Sequence, residues 1–311
     1  MARHYGIPYM GSKQKLVDKI VPYIVSRHPD MTDFYDLFGG GGSVALYAVR
    51  KYPKASIHYS ELSKAISALM LHLKEDGEIN FDWVGRPEFK KLRGGDDYKA
   101  GLMQTVRSFG NKTASTYLYG KDIQDYKEEL SKLAMTGKGD TSFIEKFATE
   151  YIQKNYGADI NIKIYLNTKK YTTPYQRRIV LNRQIPHMGH LQHLGRLERL
   201  VQIKKLPGIK DLIINSAKSY DEVQINKAGK PVIYCDPPYE GTTEYEEGGF
   251  NHKEFYDWVM LQPHPVYVSS YKISDKRLKL LRSVKTRSLL DQKTRSNYHY
   301  NYENIYWNGV N

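Results

Sequence analysis

The sequence predicts an α/β protein: an open, mostly parallel sheet interrupted by a long, mostly helical insert. Strand-like and helix-like patterns alternate over the first 75 residues, and the same rhythm resumes after about residue 205. Between them lies a polar, basic, tyrosine-rich stretch with helical segments set between turn signals. The expected organisation is a discontinuous α/β domain, residues 1–75 and 205–311, carrying a helical insert over residues 76–204.

The opening "YGIPYMGSKQKLVDKIVPYIV" contains a helix start, with Ser12 as its N-cap and Leu16, Val17, Ile20, Val21 and Ile24 on one apolar face. "DFYDLFGGGGSVALYAVRKY" reads as a short strand, a glycine turn and a helix. A strand at 55–59 leads to Glu61, and the apolar positions from Leu62 to Leu73 take helical spacing. Later come strands at "DLIIN", "VIYC" and "PVYVSS", a helix around "HKEFYDWVM", and closing strands near "TRSLL" and "ENIYWNG".

Composition narrows the partner. The 311-residue chain has a formal net charge of +13 and 27 tyrosines. Basic residues interleaved with aromatics suit phosphates and unstacked bases. No stretch is long and apolar enough to span a bilayer, and no signal-peptide core follows Met1. Cys235 is the single cysteine, so an intrachain disulfide is excluded and a reducing, cytoplasmic location is expected. His187, His190 and His193 recur every three residues, yet no acid or cysteine completes a tetrahedral set, so no metal is expected and polar surface or DNA contact is the reading.

Two stretches carry chemistry. In "DLFGGGGSVA", Gly40, Gly42 and Ala45 satisfy G-x-G-x-x-A, and Glu61 lies about 20 residues on, where an acid meets a ribose hydroxyl. A nicotinamide dinucleotide or any other cofactor bearing adenosine makes the same demand, and a simple tight turn also fits. The lysine of a P-loop is missing. In "VIYCDPPYEG", a buried strand is stopped by two prolines, which present Asp236 and Tyr239 at the carboxyl end where open α/β sheets bind ligands.

Four motifs in chain order, "PYMGSK", "DLFGGGGSV", "YSEL" and, after a long insert, "CDPPY", resemble those of Dam-type DNA adenine-N6 methyltransferases of the α-type motif order, bacterial or phage-encoded. The resemblance implies a Rossmann-like, S-adenosylmethionine-dependent methyltransferase sheet with a helical target-recognition insert. It implies S-adenosyl-L-methionine as cofactor, held by Tyr9, Lys13, Phe38, Gly39, Gly40, Gly41, Gly42, Ser43, Glu61, Leu62, Ser219 and Asp236. Tyr9 stands where Trp is more usual in the family. Ser219 falls in a segment where many relatives carry an acid.

Asp236, Pro237, Pro238 and Tyr239 are the expected catalytic residues. Adenine's exocyclic nitrogen is a poor nucleophile because its lone pair is delocalised into the ring. Acceptors aimed at the two amino protons, the Asp236 carboxylate and the Pro237 carbonyl, favour tetrahedral nitrogen. Tyr239 offers a ring for an extruded base, worth ~1–3 kcal/mol. Tyr245 and Phe250 are expected to close over that base, while Phe255, Tyr256 and Trp258 belong to the core. Double-stranded DNA is the expected partner of a monomer, or of a weak dimer on DNA. Lys169, Lys170, Arg177, Arg178 and Arg183 are read as phosphate contacts, and Arg107, Asn111, Lys112 and Tyr117 to Tyr119 as a base-reading loop. The rival readings are a catalytically silent DNA-binding relative, an RNA adenine methyltransferase and a nicotinamide oxidoreductase.

Overall fold

Apolar strands buried on both faces need helices above and below, and the computed structural model arranges them so. It describes residues 5–109, 116–240, 249–287 and 300–311. Strands β1 (Asp33–Asp36), β2 (Ser56–Glu61), β3 (Ile213–Ser216), β4 (Pro231–Cys235) and β5 (Val266–Ser270) run parallel. β7 (Tyr300–Trp307) is antiparallel to both β5 and β6 (Lys279–Arg287). The order across the sheet is β3-β2-β1-β4-β5-β7-β6. Every residue of β1, β4 and β5 is buried, as expected for central parallel strands. Pro231 is tolerated because it opens its strand.

Connections set the position of the site. From β1 the chain runs outward through β2 to β3, then returns to the other side of β1 for β4 and β5. The strand order therefore reverses between β1 and β4, the place where open α/β sheets bind ligands at their carboxyl ends. In register, Asp36 lies opposite Tyr234, which puts Leu37–Gly42 and Asp236–Tyr239 on one edge. β7 runs the other way, so its first half, including Glu303, reaches the same edge.

Local signals explain the helices of the first half. Ser12 caps a 3₁₀ turn, Lys13–Lys15, rather than the α-helix itself; α1 (Val17–Ser26) follows. α2 (Ser43–Lys51) starts at Gly42, whose φ of 73° suits glycine. α3 (Lys64–Lys74) is capped by the Ser63 hydroxyl, which accepts from the Ile66 amide. Of the closing strands, β6 starts at Lys279, ahead of "TRSLL", most of which lies outside the described residues.

The chain divides into two compact units, residues 1–77, 96–101 and 202–311, and residues 78–95 and 102–201. The first holds the sheet. Residues 96–101 group with it, and the reason is local: Tyr98 stacks on His72 with centroids 3.8 Å apart, and Gly101 sits where a Cβ would meet the Ala65 carbonyl at 2.4 Å. The second unit is helical, with α4 (Arg86–Leu92), the second half of α5 (Tyr98–Thr105), α6 (Gln124–Thr136), α7 (Thr141–Tyr156), α8 (Pro174–Gln184) and most of α9 (Gln192–Lys204). Back in the first unit, α10 (His252–Leu261) buries Phe255, Tyr256 and Val259 against the sheet, with Trp258 partly buried beside them, as their helical spacing indicated.

Gly41 marks the closest backbone approach of the glycine loop. Its carbonyl accepts from the Ile7 amide at 2.7 Å, and a Cβ would lie 2.6 Å from the Ile7 carbonyl oxygen. Gly41→Ala is expected to destabilise the protein by about 1–3 kcal/mol, since backbone must move. Chemical denaturation reads this directly, and a parental midpoint would show that the loop yields.

Candidate functional site

The glycine loop is held from three sides. The Gly39 amide donates to the Ser60 carbonyl at 2.7 Å, the Tyr59 hydroxyl donates to the Gly40 carbonyl at 2.6 Å, and the Tyr9 ring lies against Gly40. Glu61 ends β2 beside it. One carboxylate oxygen accepts from the Gly40 amide and the other from the Ser63 amide, each at 2.8 Å. Burial raises the Glu61 pKa, against the pull of those amides. Each oxygen keeps a second lone pair, so a ribose hydroxyl is compatible with both bonds. Ser43 is buried at the first turn of α2, whereas Leu62 is 66% exposed.

Ser219 lies just past β3, with its amide donating to Glu222 at 2.8 Å. Its neighbour Tyr220 contributes more: the ring stacks on Phe38, centroids 5.6 Å apart. Phe250 joins this group, 5.8 Å from Phe38 and 5.5 Å from Phe255. That packing corrects the expectation that Phe250 closes over a base. Tyr245 lies outside the described residues.

At the end of β4 a charged cluster forms. The Lys13 ammonium donates to Asp236 Oδ2 at 2.5 Å and lies 3.8 Å from Glu303 Oε1. The Tyr239 hydroxyl donates to Glu303 Oε1 at 2.6 Å, with a longer 3.4 Å contact to Asp236 Oδ1. Ser269 donates to the same Glu303 oxygen at 2.5 Å. The Pro238 carbonyl is 2.8 Å from His252 Nε2, which ties the turn to α10. The Asp236 side chain is 17% exposed and Lys13 only 8%, so the carboxylate is reachable and the lysine is not.

Burial works against the Lys13 ammonium, but Asp236 and Glu303 outweigh it and its pKa stays above the ordinary value. Burial raises Asp236 to about 6; Lys13 opposes the rise and Glu303 adds to it. At neutral pH the acceptor is ionised. Tyr239 is pushed far up by burial and by the two carboxylates, so its phenol remains a donor.

Lys13, expected beside the cofactor, is paired in the structure with Asp236. Sequence reading missed Glu303, which stands in a strand that reads as ordinary β, and whose only signal is a charge among the alternating polar and aromatic residues of "YNYENIYW". It also missed Tyr271, 49% exposed, whose ring meets Tyr239 edge-on at 4.6 Å.

The helical unit revises the basic set. Lys169, Lys170 and Arg183 are exposed. Arg178 is partly buried and paired with Glu198 through two bonds. Arg177 is buried, its guanidinium donating to the carbonyls of Ala134, Met135, Tyr171 and Thr172, which corrects the expectation of a phosphate contact. Arg107, Tyr117 and Tyr119 are buried at the base of a short antiparallel bridge between Ser108 and Tyr117. There Arg107 donates to the Asp82 carbonyl and Tyr117 to that of Val84, so they anchor a loop rather than face bases. Asn111 and Lys112 fall outside the described residues. His193 is likewise core, with Nδ1 2.7 Å from the Tyr119 hydroxyl and Nε2 3.1 Å from that of Ser131; burial drives its pKa down and keeps it neutral. Only His187 and His190 of the three are exposed. Among the described residues no group of three or more His, Cys, Asp or Glu is placed to hold a metal. No described helix is long and apolar enough to cross a membrane.

Two outcomes follow from these environments. Arg177→Ala is expected to cost about 1–3 kcal/mol of stability, because buried carbonyls lose their donor. Parental stability with a shallower salt dependence of DNA binding would return Arg177 to the phosphates. Asp36, at the end of β1, accepts from the Ala45 amide at 3.1 Å, and burial raises its pKa to about 8. The folded pKa exceeds the unfolded value, so this contribution is complete below about pH 4 and lost as pH rises through about 8. Asp36→Asn is expected to flatten thermal stability across that window and to melt above the parent at its alkaline end. A constant offset at every pH would show Asp36 ionised throughout.

A search of curated proteins found no match. Residues 9–58, which run from Tyr9 through Lys13, β1, the glycine loop and α2 into β2, match the family model described as D12 class N6 adenine-specific DNA methyltransferase. Over that segment the chain is similar to adenine-specific DNA methyltransferases, which are enzymes, and the seven-stranded sheet behind it is of the Rossmann-like α/β kind.

Proposed function

We propose that the protein transfers a methyl group from S-adenosyl-L-methionine to the exocyclic N6 of an adenine swung out of duplex DNA, as a site-specific cytoplasmic enzyme. The observation that carries this reading is an ionised carboxylate, Asp236, fixed by a rigid Pro-Pro turn and set beside an aromatic ring at the reversal point of the sheet.

The residues at β1 and β2 fit such a cofactor. The glycine loop is fixed at the sheet edge by close packing on Tyr59 and Ile7, which admits no Cβ at Gly39 or Gly41, Glu61 beside it retains acceptor capacity, and Phe38 and Tyr220 supply an aromatic face. Bound there, the cofactor supplies an electrophilic methyl on a sulfonium. Gly39 to Gly42 would hold its amino-acid end, Glu61 its ribose and the aromatic face its adenine.

The chain's own chemistry lies at the turn. Asp236 accepts one amino proton of the target base and the Pro237 carbonyl the other, which turns the nitrogen lone pair out of the ring. Tyr239 stacks on the base, and Tyr271 borders it edge-on. Lys13 keeps Asp236 ionised and points it. Methyl transfer would leave the donor as a neutral thioether; Asp236 would meet the positive charge developing on nitrogen and take up the amino proton it already hydrogen-bonds, passing it to water. A base paired in the helix cannot reach this depth, so extrusion is required. Exposed Lys169, Lys170 and Arg183 in the helical unit serve the phosphates, and that unit reads the target.

Labelled S-adenosylmethionine, unmethylated duplex DNA and RNA competitors test this reading. The parent is expected to yield N6-methyladenine in DNA, and Asp236→Ala to lose about 100-fold or more in kcat, the scale of one lost electrostatic contact. Label in RNA alone, or donor and DNA binding without transfer on varied sequences, would refute it.

A further inference from the structure

Glu303 has no part in the chemistry above, yet it is 3% exposed and charged within a sheet. Burying a carboxylate is costly unless it is paired and hydrogen-bonded. On this edge an apolar residue would pack as well, as Ile305 and Trp307 do two and four residues further along β7. Its contacts say what it holds. One oxygen, Oε1, takes the Tyr239 hydroxyl at 2.6 Å and the Ser269 hydroxyl at 2.5 Å, and lies 3.8 Å from the Lys13 ammonium. Its neighbour Asn304 donates to the Tyr271 carbonyl at 2.7 Å. Two consecutive residues of β7 thus fix both tyrosines that border the Asp236 turn.

Lys13 donates to Asp236 Oδ2. A substrate amino group on the remaining lone pairs of Asp236 would draw on the same carboxylate charge that holds Lys13, and Glu303 is the second anion near that ammonium. The geometry points to Glu303 as a positioning residue that holds the Tyr239 ring and receives Lys13 when Asp236 engages the substrate amino group. This inference rests on the methyltransfer reading above.

The charged and titratable groups around Glu303 are Lys13 from the 3₁₀ turn, Asp236 and Tyr239 from the turn after β4, Tyr234 from β4, and Tyr271 after β5. Asp36 of β1 faces Asp236 from the other side. Among these, Glu303 is one of the charges that raise the proton affinity of Asp236. Removing it lowers that affinity, so the acidic limb of activity moves to lower pH.

Glu303→Gln keeps the size and the acceptor for Tyr239 but removes the seat for Lys13. In single-turnover and steady-state assays on duplex DNA, kcat is expected to fall roughly 10- to 100-fold, as misplaced reacting groups do. KM for DNA and donor binding should stay near parental. The acidic limb of kcat/KM, which reports the free enzyme, should shift downward. Parental kcat overturns the inference, and so does reduced kcat with an unmoved acidic limb, the pattern of a merely structural residue. Should Glu303→Gln fail to fold, Glu303→Asp is assayed: reduced kcat with an acidic limb moved to lower pH supports the role, and parental kcat or an unmoved limb ends it. Failure of the parent to methylate adenine would instead sink the underlying reading.

Discussion

A lysine buried between two carboxylates is the constraint on which the site depends. Lys13, Asp236 and Glu303 come from a 3₁₀ turn near the amino end, the turn after β4, and the reversed strand β7. Breaking such a buried pair by removing one partner costs roughly 3–5 kcal/mol, although the intact pair adds little net stability. Its value here is geometric. Three distant pieces of chain cannot shift independently while one ammonium is shared among them, and Asp236 is thereby aimed.

That sharing requires the sheet. A purely parallel sheet would bring only carboxyl ends to the catalytic edge, and the carboxyl end of the chain's last strand would carry its final residues there. Because β7 is inserted antiparallel between β5 and β6, the edge receives residues near its start. Glu303 and Asn304 can therefore sit level with the end of β5, where Ser270 pairs with Asn304. On the other side, reversal of strand order at β1 leaves room for the glycine loop next to the Asp236 turn. The same edge thus holds the residues proposed for the donor beside those proposed for the acceptor.

Much of this was legible in the sequence, and the failures share a cause. Parallel strands read well because burial on both faces forces continuous apolar runs such as "VIYC". The Gly39–Gly42 loop and the Pro237–Pro238 stop read well because backbone conformation restricts residue type. Glu303 and Tyr271 were not legible, since their roles arise from pairings between strands far apart in sequence. Arg177 and His193 misled for the opposite reason: polar side chains spaced on helices look solvated until a fold buries them with enough donors and acceptors, as here. Charge composition indicated a partner class and could not say which cations remain outside.

The electrostatics of the edge run against those of the chain. A protein of formal charge +13 draws polyanions to its surface. Yet Asp236 and Glu303 flank a single lysine, Asp36 lies within its field, and burial raises the proton affinity of Asp36 and of Glu61 at the end of β2. A phosphate entering this region would meet carboxylates in a low dielectric, where repulsion is far stronger than in water. A neutral base carries no such penalty, and a cationic sulfonium donor is favoured there. Under the proposed reading, a basic exterior and an acidic interior would sort the two parts of a nucleotide, with the backbone kept outside and the base admitted. Such sorting needs no contact with sequence, so it is compatible with target choice residing wholly in the helical unit.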